Sequence, residues 1–160
     1  MLCFLCCETQ AKVYVHHETA TEDCEQARLE LEALQAACPS AVVGQMLKTT
    51  RGEGNHYETT VCKTYAMPEA DIKRLYALLL QVRPNPRYVR KSGGHKTSYR
   101  VRYSNKIILT IQGKEHELRC GNIQEDNTYG EPKWLLDKAP LSELRSLIFK
   151  YTPKCPKNIE

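Results

Sequence analysis

Apolar and polar residues alternate most regularly between Arg83 and Cys120, and this alternation predicts the central strands of the fold. Ser98–Tyr103 alternates strictly, with Tyr99, Val101 and Tyr103 on one face and Arg100 and Arg102 on the other. Ile107–Ile111 is the most apolar run, and a further strand ends at Cys120. Turn residues at Ser104-Asn105-Lys106 and Gln112-Gly113-Lys114 separate these strands, and Arg87–Arg90 begins a short one. The stretch therefore predicts an antiparallel meander.

Apolar residues at helical spacing predict two helices before this stretch and one after it. The first begins at a capping-box pattern, Thr19 with Glu22, and ends before Pro39. Its buried face comprises Cys24, Ala27, Leu31, Leu34 and Cys38, widened by Leu29, Ala33 and Ala36. The second begins at Pro68 and buries Ile72, Leu75, Tyr76, Leu79 and Leu80. A short third helix near Pro140 buries Leu141, Leu144, Leu147 and Ile148.

The remaining strand patterns complete a fold class. Lys12–His17 alternates as a strand, and Ala41–Thr50 and His56–Tyr65 form a hairpin around a glycine-containing loop, the second as an edge strand. The order β-α-β-β-α-β-β-β-α predicts an α+β domain with a mostly antiparallel sheet, two longer helices and a short C-terminal helix. We assign residues 1–11 to an apolar, cysteine-rich arm, 12–151 to the domain and 152–160 to an extended tail. The only tryptophan, Trp134, is expected to pack at the edge of the core.

The basic residues are concentrated in one segment. Residues 83–106 contain eight Lys or Arg and no Asp or Glu, whereas the rest of the chain has 15 basic and 19 acidic residues. A local positive surface attracts anionic partners. Seven residues are therefore candidates for binding an anion or partner: Arg87, Arg90, Lys91, Lys96, Arg100, Arg102 and Lys106. The alternative is a solvated strand face whose charges are offset by acidic residues elsewhere in the fold.

Three of the eight cysteines lie near the N-terminus, at Cys3, Cys6 and Cys7. We interpret this run as a first strand or buried arm, with lipidation of Cys6 and Cys7 as the alternative. Cys3 and Cys6 form a C-x-x-C, but no second ligand pair has zinc-site spacing, so no metal or other cofactor is predicted. No apolar run approaches the roughly 20 residues that a membrane-spanning helix needs, so a membrane is expected as a partner only if these cysteines are lipidated.

The other cysteines bear on the compartment. Cys24 and Cys38 lie on one helix face, about 21 Å apart at 1.5 Å per residue, and cannot form a disulfide with each other. This favours the cytoplasm, with the cell envelope or secretion as the alternative if the true start lies upstream. Cys62 and Cys120 both lie on predicted strands and are the candidate disulfide of an exported protein.

The sequence provides no defensible catalytic site. His116 and Cys120 point to the same side of one strand but lie about 13 Å apart at 3.3 Å per residue. We therefore predict a non-enzymatic binding module whose basic face, residues 87–106, docks an acidic protein or other polyanion. The first alternative is nucleic-acid binding by the same face, although Tyr99 and Tyr103 alternate away from the arginines and no stacking platform is evident beyond Tyr88. The second alternative is an enzyme whose site the sequence does not identify.

Overall fold

The computed structural model describes residues 21–90, 100–126 and 131–152 of the 160-residue chain. These residues form an α+β domain with a four-stranded antiparallel sheet, a small three-stranded sheet and three helices. The fold class and the order of elements agree with the sequence prediction. The arm of residues 1–11, the strand predicted at Lys12–His17 and residues 153–160 of the tail lie outside the described residues.

The main sheet contains the long strands of the domain in the order β2-β1-β4-β5. The bounds are Ala41–Arg51 for β1, Tyr57–Ala66 for β2, Val101–Ile111 for β4 and Lys114–Leu118 for β5. The hairpin of β1 and β2 is confirmed, and β2 is an edge strand as predicted. Two-residue strands form the smaller sheet: Arg83–Pro84 is β3, Ile123–Gln124 is β6 and Trp134–Leu135 is β7. In this sheet β7 lies between β3 and β6.

One predicted turn is wrong. Ser104, Asn105 and Lys106 were expected to reverse the chain, but they continue β4 as one strand from Val101 to Ile111. Their partners across the ladder are Leu47, Met46 and Gln45 of β1. Because β1 is equally long, every residue of this segment has a strand partner, and pairing overrides the local turn preference. The short strand expected at Arg87–Arg90 is also replaced, since the regular pairing is at Arg83–Pro84.

Three helices bury their apolar faces in the core. Helix α1 covers residues 21–35, α2 covers Glu69–Leu79 and α3 covers Lys138–Tyr151. Ala27, Leu31 and Leu34 of α1 are buried as predicted, but Leu29 is exposed, and Cys38 lies beyond the helix and is exposed. In α2, Leu78 is buried where Leu80 was expected. The C-terminal helix was predicted to be short but has 14 residues, three more than α2.

The core lies on one face of the main sheet. Ile107, Leu109 and Ile111 of β4 are buried there, and the helices contribute Leu75, Leu144 and other apolar side chains. Even-numbered residues of β4 turn to the opposite face, so Arg102 is exposed and Tyr103 is half-buried, as the alternation predicted. The face away from the helices therefore carries the basic residues of β4.

Candidate anion-binding notch

The main candidate site is a cavity of about 570 Å³ at the edge of β4, which we call the β4 notch. It exists because β4 is longer than its neighbour β5: the last pair of this ladder joins Ile107 and Leu118. The chain then turns away through a short 3₁₀ helix, Cys120–Asn122. The lining comes from β1, β4, β5, the turn after β5 and the end of α3. The lining residues include Arg102, Ser104, Lys106, Glu117, Arg119 and Ile148.

Three basic side chains and one carboxylate line the notch within the described residues: Arg102, Lys106, Arg119 and Glu117. Glu117 accepts a hydrogen bond from Arg119 Nε at 3.0 Å and lies 3.4 Å from Lys106 Nζ. Partial burial alone would raise the pKa of the Glu117 carboxyl, but the hydrogen bond and the two positive charges outweigh it, and the pKa lies below its usual value. Glu117 is therefore ionised at neutral pH, and the described lining of the notch keeps a surplus of basic over acidic side chains.

The seven predicted binding residues do not all reach the notch. Arg102 and Lys106 line it, whereas Arg87, Arg90 and Arg100 do not. Arg87 pairs with Asp126 at 2.5 Å, and the backbone N–H of Arg90 donates to the Asp23 carboxylate at 3.0 Å. Lys91 and Lys96 lie outside the described residues.

The sequence prediction missed Arg119, although the sequence contained a signal for it. Gln112 and Gly113 both have positive φ angles, 51° and 78°, as a two-residue type I′ hairpin turn requires. Such a turn sets the register of the hairpin, and Ile111 pairs with Lys114. Counting outward from this turn places Arg119 opposite Lys106. The proximity of these two basic residues therefore follows from the type of turn rather than from the basic segment 83–106.

The candidate disulfide between Cys62 and Cys120 is wrong. Cys62 lies on β2 and Cys120 follows β5, and these are the two outer strands of the main sheet. Three strand spacings separate these strands, about 14 Å at 4.8 Å each, whereas a disulfide needs α-carbons within about 7 Å. Both thiols are free. The lipidation candidates Cys6 and Cys7 lie outside the described residues.

The chemistry around the notch does not favour a nucleophile. Burial raises the pKa of the Cys120 thiol, and the nearby Arg145 offsets this only in part. A protonated thiol is a poor nucleophile. Among the described residues, no hydrogen bond joins a cysteine to a histidine, and no group of three or more His, Cys, Asp or Glu side chains is arranged to hold a metal ion.

A second cavity, of about 320 Å³, lies between α1 and β5. It is lined by His116, Lys114, Glu117 and Trp134 among others, and by Glu30, which forms an ion pair with Lys133. Two carboxylates, Glu30 and Glu117, and one lysine, Lys114, line it, so this cavity has no preference for an anion. The β4 notch is the better candidate.

Comparison with protein-family models, curated proteins and solved structures gave no match. Across the three described ranges, no helix is long and apolar enough to cross a membrane.

Proposed function

We propose that the protein is a non-enzymatic binding module in which the β4 notch docks an acidic segment of a partner protein. The observation that carries this proposal is the convergence of Arg102, Lys106 and Arg119 on one cavity that contains a single described carboxylate, Glu117. Clefts lined by one sign of charge concentrate the opposite charge and steer its approach. The lining of the notch also includes three apolar residues, Leu47, Leu118 and Ile148, which suit a polypeptide better than a simple ion.

The lack of aromatic side chains in the described lining of the notch favours an acidic protein over a nucleic acid. Single-stranded nucleic acids are held by aromatic side chains on which bases stack, in addition to basic residues. No described residue lining the notch is aromatic. Tyr103 turns toward the helix-covered face of β4, and Tyr88 is half-buried outside the notch. Among the described residues, the notch therefore has the positive charge but not the stacking surface that bases require.

Reversing two charges of the notch tests the proposal. In the variant Arg102→Glu with Arg119→Glu, we expect affinity for a fluorescent polyglutamate peptide to fall by at least about tenfold at low salt, because two attractive charges become repulsive. Fluorescence anisotropy measures the affinity, and binding to the wild type should weaken as salt rises, since exposed charges are screened. The milder variant Arg102→Gln with Arg119→Gln should show a smaller loss in the same direction.

A matched control distinguishes the effect of charge in the notch from the effect of the net charge of the protein. Lys63→Glu with Lys73→Glu changes the total charge by the same amount at two exposed positions outside the notch and should leave affinity nearly unchanged. Equal losses in both double variants, with both folded by circular dichroism, would contradict a specific site. Tighter binding of single-stranded DNA than of polyglutamate would overturn the proposal in favour of nucleic-acid binding.

Removing the carboxylate of the notch should raise the affinity for acidic peptides. In Glu117→Gln, Lys106 and Arg119 lose their ionic partner and become available to a ligand, so we expect affinity for polyglutamate to rise by about threefold. Glu115→Gln is the control, because Glu115 is exposed on the same strand and lies outside the notch. A weaker affinity in Glu117→Gln would show that this carboxylate organises the site rather than competing with the ligand.

A further inference from the structure

The ladder between β4 and β5 ends where β4 borders the notch. Residues 101–106 pair with β1 on one side, whereas pairing with β5 begins only at Ile107. Within the described residues, β5 therefore stops short of residues 101–106 on the notch side of β4. A strand edge of this kind is a template for an added strand.

The direction of the backbone groups supports this reading. The N–H of Arg51 in β1 donates to the carbonyl of Arg100 at 3.0 Å, and the N–H of Ser40 donates to the carbonyl of Thr110 at 2.9 Å. Even-numbered residues of β4 therefore direct their backbone groups toward β1. Because these directions alternate along a strand, the N–H and C=O of Val101 and Tyr103 point toward the notch.

The side chains add a charge pattern to this edge. Arg102, Ser104 and Lys106 lie on the same face, and the two basic residues are about 13 Å apart at 3.3 Å per residue. A strand beside them would present alternate side chains to that face and the others to the opposite face. Leu118 and Ile148, which are buried, line the notch toward the helices. The notch thus offers positive charge to one face of an added strand and apolar contact to the other.

Strand β2, at the other edge of the main sheet, is less suited to the addition of a strand. In the ladder between β1 and β2, Met46 pairs with Lys63 and Leu47 with Val61, so Cys62 forms a bulge. A bulge and a lysine are common protections of edge strands against addition. The β1–β4 ladder runs without a register shift, so the edge of β4 is regular.

We propose that an extended segment of a partner protein, with acidic residues at alternate positions, adds as a strand to the edge of β4 at residues 101–106. The backbone of Val101 and Tyr103 bonds to the segment, and Arg102 and Lys106 pair with its carboxylates. The inference rests on the proposed function, which requires only that the notch binds acidic chains, and it adds the binding mode.

Two peptides of equal composition distinguish strand addition from binding by charge alone. One alternates glutamate and threonine, so that all carboxylates lie on one face of a strand. The other carries the same residues with the glutamates in one block, which divides the carboxylates between both faces. We expect the alternating peptide to bind about tenfold more tightly in fluorescence anisotropy. N-methylation of one set of alternate peptide bonds should abolish this advantage, whereas methylation of the other set should not.

Amide hydrogen exchange, followed residue by residue by NMR, locates the added strand. On binding of the alternating peptide, the amides of Val101 and Tyr103 should become protected, whereas that of Ser104, which already faces β1, should change little. Equal affinity for both peptides would overturn strand addition and leave the binding of acidic chains intact. Absence of binding by either peptide would overturn the proposed function as well. If the amides of Val101 and Tyr103 are protected before peptide is added, a second copy or another segment of this chain occupies the edge. That result would also overturn the inference.

Discussion

Replacing Gly44 with alanine is expected to lower the free energy of unfolding by about 3 kcal/mol, because the new methyl group would overlap the backbone of α3. A Cβ at this position would lie 1.8 Å from the carbonyl oxygen of Tyr151 and 2.8 Å from its carbonyl carbon. Gly44 lies on the helix-covered face of β1, so the absence of a side chain is what lets the end of α3 rest on the sheet. Urea denaturation measures the loss.

The end of α3 has little freedom to move away from a larger residue. The hydroxyl of Tyr151 donates to the Asp71 carboxylate of α2, and the hydroxyl of the buried Thr152 donates to the carbonyl of Ile148 at 2.9 Å. Ile148 and Thr152 also line the β4 notch, so displacement of this end should weaken peptide binding in the folded fraction.

Gly52→Ala is the matched control for this substitution. Gly52 has a φ of −91°, and its nearest neighbour to an added Cβ is the carbonyl oxygen of His56 at 3.5 Å. Alanine fits there without strain, and stability should change by less than about 1 kcal/mol. A similar effect of the two substitutions would show that α3 does not approach β1 as closely as the structure indicates.

Periodicity predicted which residues face the core but not where each element ends. Ala27, Leu31 and Leu34 follow the helical repeat into the core, because the repeat depends only on local geometry. Cys38 continues the same helical spacing in the sequence, yet it lies beyond the end of the helix. Likewise, Ser104-Asn105-Lys106 carries local turn preference, but the length of β1 extends the strand through it. Where a helix or strand ends depends on partners that are distant in sequence. A periodic pattern within one element carries no information about those partners.

The candidate site was predictable only in part for the same reason. Composition identified Arg102 and Lys106 within the basic segment. Two other members of that segment, Arg83 and Arg87, form ion pairs with Asp137 and Asp126, so the charge of a segment overstates the charge of a surface. Arg119 comes from the opposite side of a hairpin and joins the notch through strand register. The described part of the β4–β5 ladder ends at Ile107 because the two strands differ in length, which neither charge nor hydropathy reveals.

Replacing Trp134 with alanine is expected to lower the free energy of unfolding by about 4 kcal/mol, since a large buried ring would be lost and leave a cavity. Trp134 is 3% exposed and lies on β7 between Pro84 of β3 and Ile123 of β6. Its indole Nε1–H donates to the carbonyl of Ala27 in α1 at 2.9 Å. The ring therefore joins the smaller sheet to the first helix. Because it is the only tryptophan, unfolding of this variant is followed by circular dichroism rather than by tryptophan fluorescence.

Trp134→Phe distinguishes the two contributions of this residue. Phenylalanine keeps most of the buried ring but cannot donate to Ala27, so the loss should be about 1–2 kcal/mol. Trp134 does not line the β4 notch, and the folded Trp134→Phe variant should bind acidic peptides as the wild type does. A loss of binding without a loss of stability would contradict this division, because it would make the smaller sheet part of the binding surface. Unchanged binding with reduced stability would place Trp134 in the scaffold that holds β4, β5 and α3 around the notch.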